Sequence, residues 1–452
     1  MQGPDLMTLA CFKAYDIRGR VPSELNPELA RRMGQEFAEL TQAHQVAVGY
    51  DMRPSSPELA EAVVQGLLSR GVEVIELGLC GTEEVYFAAF HGQLQGGLMI
   101  TASHNPADYN GLKLVGHGAR PLSESDLQKL QQRVLGPEGA STSVGKRVSR
   151  DFRAAYVDQL LQRFPPRKLA RLKMLGNPGN GSIGPLLKQI QQAYQFDLTL
   201  IQAEPDGTFP NGIPNPLLPD KRQHTTDAVL SNKAELGIAW DGDFDRCFFF
   251  DSRGQMQENY YLVGLLAEHY LRLPEWKGAP IAYDPRLTWN TEEVIQQCGG
   301  TALPCRTGHV FFKQAMREHR APYGGEMSGH HYFGDFGYCD SGVYPWLLYL
   351  SLQSERSAPM EQRLWDMAAR FPISGEINRK VEDTGRAIQA VEQRFAREAV
   401  RRLDVDGLSL EFPEWRFNLR RSNTEPLTRL NVESRGDAEL VSARTAEILA
   451  LY

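Results

Sequence analysis

The sequence contains no apolar run long enough to span a bilayer. Its first residues, MQGPDLMTLACFKAYDIRG, lack a basic region followed by an apolar segment and a small-residue cleavage site. A cytoplasmic protein with no membrane partner is therefore expected. Cysteine is scarce: six residues (Cys11, Cys80, Cys247, Cys298, Cys305 and Cys339) at irregular spacing form neither a zinc pattern nor a disulfide framework in a chain of 452 residues. Reduced core thiols are expected. Positive charge is not in excess either, because 49 Lys and Arg against 56 Asp and Glu leave a net charge of −7. Phosphate-backbone binding needs a broad basic surface, so nucleic acid is not an expected partner. An anionic ligand would have to meet a locally basic cleft.

What the chain does have is 42% hydrophobic and 23% charged residues, enough length for three or four compact domains. Strand-like runs alternate with amphipathic helical segments, the pattern of α/β units with mostly parallel sheets. Within that pattern an echo appears. "VAVGYDMR" (46–53) and "IAYDPR" (281–286) each run from a short apolar strand into Tyr-Asp-x-Arg. The first is followed by Gly81-Thr82, a helix and "GGLMITASHNP"; the second by Gly308-His309, a helix and "YGGEMSGHHYF". Between them a third unit opens with "LKMLGNPGNGSIG" and closes with "ELGIAWDGDFDR". Ligands of open α/β sheets bind outside the carboxyl ends of the strands, so three such closing loops can converge on one cleft.

The loop "DGDFDR" places Asp241, Asp243 and Asp245 at every second position directly after the apolar strand-like run Leu236 to Trp240. Packed carboxylates repel one another unless a cation sits among them, and oxygen ligands suit a hard cation. A helix-loop-helix calcium site would need glycine and glutamate where Arg246 and Ser252 stand. Magnesium fits best if a phosphate oxygen completes its shell. An aspartyl-phosphate nucleophile and a solvated acidic turn are the competing readings.

Gly179-Asn-Gly181-Ser-Ile-Gly184 matches the dinucleotide fingerprint, with Glu204 where a ribose-binding acid would stand. Gly176-Asn177-Pro178 intervene, however, and no hydride-transfer chemistry accompanies the loop. Near the C-terminus, "RFNLRRSNTEPLTRLNVES" sets Arg420, Arg421, Ser422, Asn423 and Thr424 between two alternating strand-like runs. Guanidinium groups, hydroxyls and loop amides make an anion site suited to a terminal phosphate. A polar hairpin turn is the plain alternative.

Ser103, in "MITASHNP", lacks the glycine-flanked elbow of a hydrolase nucleophile. Extended backbone would also keep the adjacent His104 from aiming at its hydroxyl. A serine facing a magnesium site is different: a phosphate on its hydroxyl would furnish both the missing metal ligand and a transferable group. Ser103 is thus the expected phosphoryl carrier.

"KAYDIRG", "TASHNP", "YNGLK", "DGDFDR", "GGEMSGH" and "RRSNTEP", in this order across nearly the whole chain, resemble the signature stretches of the α-D-phosphohexomutase superfamily. "CFKAYDIRG", "DGDFDRCF", "GGEMSGHHYF" and "RLNVESRGD" most resemble its bacterial phosphomannomutase branch. The resemblance implies an α/β fold of four domains around a central cleft. Three are similar units with mixed, mostly parallel sheets, and the fourth is a smaller, mobile α+β domain. Here that gives 1–148 with the phosphoserine loop, 149–252 with the metal loop, 253–370 with the sugar loop, and 371–452 with the phosphate loop.

The same resemblance implies a phosphoserine at Ser103 and one Mg²⁺ per chain, held by Asp241, Asp243 and Asp245 against its phosphate. It gives Lys113, Arg18, His104 and Arg246 around the transferring group. Glu326 and Ser328 would bind sugar hydroxyls, with Tyr15, Arg286 and His309 lining the site. Arg420, Ser422, Asn423 and Thr424 would hold the non-reacting phosphate. Arg306 stands before Thr-Gly-His where lysine is common among relatives, and Asn177-Pro178 alters the second unit's opening loop. The implied reaction interconverts mannose 6-phosphate and mannose 1-phosphate for GDP-mannose supply, with hexose 1,6-bisphosphate as intermediate and activator. Glucose-specific or dual-specificity mutases, a non-catalytic sugar-phosphate binder and an NAD-dependent oxidoreductase are the alternatives.

Overall fold

A computed structural model describes residues 9–13, 15–139, 144–422 and 427–452. The chain forms two compact units, one of 1–256 with 335–354 and one of 257–334 with 355–452.

The echo in the sequence is an echo in topology. In the first sheet, Gln45–Tyr50 lies between two parallel neighbours, Glu73–Leu79 and Gly96–Ile100. Tyr109–Gly116 then pairs antiparallel with Gly96–Ile100. Met174–Asn177 has the same relation to Leu198–Leu200 and Leu236–Trp240, with Cys247–Phe250 antiparallel to the last. Pro280–Tyr283 repeats it with Thr301–Pro304 and Tyr323–Gly325, and His331–Phe333 is the antiparallel partner. The central and last parallel strands of each sheet are almost wholly buried and read as apolar runs, as strands covered on both faces must, while the outer ones, Glu73–Leu79, Leu198–Leu200 and Thr301–Pro304, are largely half-buried or exposed. Each sheet therefore offers the same two loops at its carboxyl edge: one after its central strand, and one where the last parallel strand turns into its antiparallel neighbour.

In the first unit the helices Pro27–Thr41 and Ser56–Leu68 pack over a core of Phe37, Val46, Val48, Leu98, Ile100 and Leu112. Asn26 caps the first of these helices through Leu29 N. The C-terminal domain is different: its sheet is antiparallel, in the order Ile377–Lys380, Leu427–Ser434, Trp415–Arg421, Leu408–Glu411, Arg401–Leu403. Helices Thr384–Phe395 and Ala438–Leu449 belong to the same core, formed by Val391, Phe395, Phe417, Leu419, Leu430, Val432 and Ile448. No disulfide joins any of the six cysteines, and five of them are buried. Among the described residues no helix is long and apolar enough to cross a membrane.

Candidate active site

The Ser103 loop joins Gly96–Ile100 to Tyr109–Gly116, and one buried arginine holds it in place. Arg53 Nη1 donates to the carbonyls of Pro106 (2.6 Å) and Tyr109 (2.9 Å), and Nη2 to those of Ser103 (2.9 Å) and Asn105 (2.7 Å). Asp51 orients that guanidinium through Nε (3.2 Å) and also accepts from Ser56 and Thr101 hydroxyls. The Thr101 hydroxyl in turn accepts from Ser103 N at 2.9 Å. The Tyr-Asp-x-Arg echo is thus the mount of the serine loop.

Ser103 itself sits at φ 50, in the left-handed region that L-residues rarely occupy outside functional or turn positions. This corrects the expectation from extended backbone: the turn brings His104 Nδ1 to 3.1 Å from Ser103 Oγ. Ser103 Oγ also donates to Asp241 at 2.9 Å. The aspartate loop can approach this closely because residue 242 is glycine. A Cβ there would lie 2.5 Å from the Ser103 carbonyl oxygen.

Asp241, Asp243 and Asp245 are buried and point oxygens at one place, with one ligand atom from each lying within 4.8 Å of the others. Lys113, on the strand after the serine loop, donates to Asp243 at 2.6 Å and to Asp245. Burial works against its charge, but the two carboxylates outweigh it and hold the ammonium well above its usual range. Burial, reinforced by the Asp245 and Asp243 carboxylates, drives Asp241 upward, countered in part by Arg246, which donates to it at 2.9 and 2.7 Å. The donor set suits a hard cation. Among the described residues Asp243 Oδ1 is buried with no hydrogen-bond donor, as a metal-ligating oxygen would be. Arg246 also contacts His104 Nδ1. Burial first, then Arg246 and Arg18, keeps His104 far below the ordinary histidine range and hence neutral. Arg18 reaches the loop through Asn105 Oδ1 at 2.6 Å, and Tyr15 lies in the bend before its strand, half-buried.

The glycine-rich loop of the second unit has a structural task. Four of its amides are engaged within the protein: Gly179 N on Asn177 Oδ1 (2.9 Å), Asn180 N on Gln202 O (2.8 Å), Gly181 N on Pro178 O (2.9 Å), Ser182 N on Gly242 O (2.9 Å). The last supports the aspartate loop. Asn177 and Gly179 also explain the missing echo. Arg53 N on Asp51, Gly179 N on Asn177 and Arg286 N on Asp284 (3.0, 2.9 and 2.9 Å) are the same turn after the same strand. The second unit keeps the turn without its arginine.

In the other compact unit, Glu326 accepts from Tyr332 OH (2.5 Å) and from Gly308 N (3.2 Å), the residue before the helix that His309 opens. Burial raises its carboxyl, partly opposed by His330. Ser328 Oγ lies 3.3 Å from His330 Nδ1. Arg286 is held by Asp284 (2.8 and 2.7 Å to Nε) and Glu376 (2.9 Å), and stands 4.0 Å from Glu326. Arg420 lies on the strand Trp415–Arg421, opposite Arg429, and Ser422 N closes the following loop on Leu427 O. Asn423 and Thr424 lie outside the described residues. Sequence reasoning misses Arg53, Asp51 and Glu376 as functional residues. The repeated Asp-x-Arg is the available signal for the first two, and Glu376 has none.

A serine, a carboxylate triad and flanking cations come together on equivalent loops of repeated α/β sheets. The four domain descriptions of phosphoglucomutase/phosphomannomutase, alpha/beta/alpha domains I, II and III and the C-terminal domain, match residues 10–138, 154–254, 258–371 and 376–451. The chain belongs to this family, within the phosphohexomutase superfamily. It is 49% identical to a phosphomannomutase of Salmonella montevideo over 452 residues, covering 98% of this chain and 99% of the relative. A Xanthomonas campestris protein named "Phosphohexose mutases" is 49% identical over 444 residues, with 98% and 99% covered. A crystal structure of a phosphoglucomutase/phosphomannomutase family protein from Burkholderia thailandensis superposes with a TM-score of 0.88 at 31% identity, covering 98% of both chains.

Proposed function

We propose that the chain is a phosphomannomutase, interconverting mannose 6-phosphate and mannose 1-phosphate through phosphorylated Ser103 and a hexose 1,6-bisphosphate, in support of GDP-mannose synthesis. The observation that carries this reading is the Ser103 hydroxyl on a strained turn, 2.9 Å from Asp241 and beside the other two aspartates. Family membership and relatives bearing the phosphomannomutase name support it.

In this reading Asp241, Asp243 and Asp245, with an oxygen of the Ser103 phosphate, hold Mg²⁺, which when bound neutralises charge on the transferring group. The bond from phosphorus to Ser103 Oγ breaks as one to the sugar hydroxyl oxygen forms. Lys113, Arg18, His104 and Arg246 surround the transferring group with positive charge or donors and assist movement of the hydroxyl proton. Glu326 and Ser328 hold the sugar, with Tyr15, His309 and Arg286 around it. Arg420, with Ser422, Asn423 and Thr424, holds the phosphate that does not react. The bisphosphate turns over and returns its other phosphate to Ser103. The domain limits 1–148, 149–252, 253–370 and 371–452 belong to the same proposal.

Intact mass and phosphopeptide mapping of freshly purified protein test it: a phosphate at Ser103 in a fraction of molecules is expected. A label found elsewhere, or none after incubation with hexose 1,6-bisphosphate, would overturn the carrier assignment and leave a sugar-phosphate binding protein.

A further inference from the structure

The strands Trp415–Arg421 and Leu427–Ser434 place Arg416 opposite Glu433, Asn418 opposite Asn431, and Arg420 opposite Arg429. The first pair is a salt bridge of 2.7 Å and the second pairs like amides, but the third sets two guanidinium groups side by side. Like charges directly opposite on a sheet are unfavourable. Arg286 approaches the same place, and its presence is among the effects that lower Arg420, after burial.

One carboxylate serves all three. Glu376 Oε2 lies 2.9 Å from Arg286 Nη1 and 3.4 Å from Arg420 Nη2, while Oε1 lies 3.1 Å from Arg429 Nη1. The residue is set there by its strand. Ser374 N bonds Val432 O and Ser374 Oγ accepts from Val432 N, Gly375 turns at φ 70, and Ile377 then pairs with Leu430. Burial would raise the Glu376 carboxyl, but Arg286, Arg429 and Arg420 hold it down to about 2, so it is ionised at any working pH. Asp284 on Arg286 and Asp406, 3.9 Å from Arg420, complete the neutralisation.

We propose that Glu376 is a placeholder anion: it occupies the Arg286, Arg420 and Arg429 cluster in the empty protein, and the substrate's non-reacting phosphate binds by competing with it. This rests on the reading of Arg420 as a phosphate ligand. Two consequences distinguish a placeholder from a passive salt bridge. The arginines keep their arrangement without ligand, so little ordering accompanies binding. Phosphate is also held less tightly than three arginines alone would hold it, which suits an enzyme whose bisphosphate must let go of this site and turn before the second transfer.

The test is calorimetric titration of the full-length protein with inorganic phosphate, alongside the KM and kcat for mannose 1-phosphate, in native protein, Glu376→Gln, Glu376→Ala and Arg420→Ala. Removing the competing charge in Glu376→Gln is expected to tighten phosphate binding by about tenfold and to lower KM and kcat together, as release becomes slower. Glu376→Ala, which removes the carboxylate without leaving an amide among the arginines, should shift in the same direction. Unchanged or weaker phosphate binding in both folded variants would overturn the proposal, since Glu376 would then only brace the arginines. Phosphate binding unaffected in Arg420→Ala would instead overturn the phosphate-site reading beneath it.

Discussion

Ser103 at φ 50 is held in a conformation that costs on the order of 1–3 kcal/mol, and the holding groups are Arg53 on its carbonyl and Thr101 on its amide. The strain aims Oγ at Asp241. Ser103→Ala should fold normally yet lose turnover by several orders of magnitude in a coupled assay, because no neighbouring side chain is placed to carry the group. His331 behaves in the opposite way, as a residue whose charge state matters to the fold. It is buried between Tyr323 OH (2.7 Å, at Nδ1) and Asn259 Oδ1 (3.2 Å, at Nε2), a pairing complete for neutral imidazole. Burial, reinforced by His330, lowers it to about 3. The unfolded chain binds this proton below about pH 6.5 and the folded chain does not, so stability is full above that pH and falls as pH drops toward 3. The loss is up to about 1.4 kcal/mol per pH unit, and His331→Gln should flatten that part of the curve in urea titrations at successive pH values. The serine's role is legible in "TASHNP" and the aspartate spacing. Its left-handed turn, and hence the contact with His104, is not, because φ is imposed by partners as far away in sequence as Arg53.

At the scale of elements, the repeated sheet explains why the chemistry sits where it does. The serine loop, the aspartate loop and the Glu326 loop all lie between the last parallel strand and its antiparallel neighbour. The order of motifs along the chain makes this repeat visible in the sequence itself. Hidden in it is the division of labour within Asp-x-Arg: Arg53 turns inward to hold a loop, Arg286 turns toward Glu376, and Gly179 has no side chain to turn. Breaking a buried ion pair leaves an uncompensated charge, so Arg53→Ala should cost about 3–5 kcal/mol in chemical denaturation. With Asp51→Ala added, the double variant should lose less than the sum of the two single losses. Arg53→Lys keeps the charge but cannot reach four carbonyls, and amide exchange in residues 105–109 should rise by an order of magnitude or more while the rest of the first sheet stays protected. A uniform rise across the sheet would show that Arg53 supports the domain and not the loop.

At the scale of the whole molecule, an acidic chain of net charge −7 nonetheless brings Arg286, Arg420 and Arg429 together around Glu376, at the proposed phosphate site. Arg420→Ala should therefore raise KM for the 1-phosphate and the 6-phosphate alike, since one site must take either end of the sugar. An effect on one substrate alone would mean that two phosphate sites exist. Glu326 and Ser328, as proposed sugar ligands, face hydroxyls that mannose and glucose present identically. No other residue is assigned to the 2-hydroxyl in which they differ. Mannose 1-phosphate is expected to be preferred, with measurable turnover of glucose 1-phosphate when bisphosphate activator is present. Complete rejection of glucose 1-phosphate would place a polar contact at that hydroxyl.

The hairpin Tyr323–Phe333 has a consequence for engineering. Both ends are pinned by ladder pairs, Tyr323 with Phe333 and Gly325 with His331, while the five residues between them carry the groups that would touch the sugar. Ser103, the proposed carrier, and its aspartates are built on other strands of the other compact unit. On the proposed roles, the contacts to the hydroxyls that Glu326 and Ser328 would hold can be exchanged as a cassette, by grafting another mutase's 326–330 loop between unchanged anchors, without altering the strands that carry Ser103 and its aspartates.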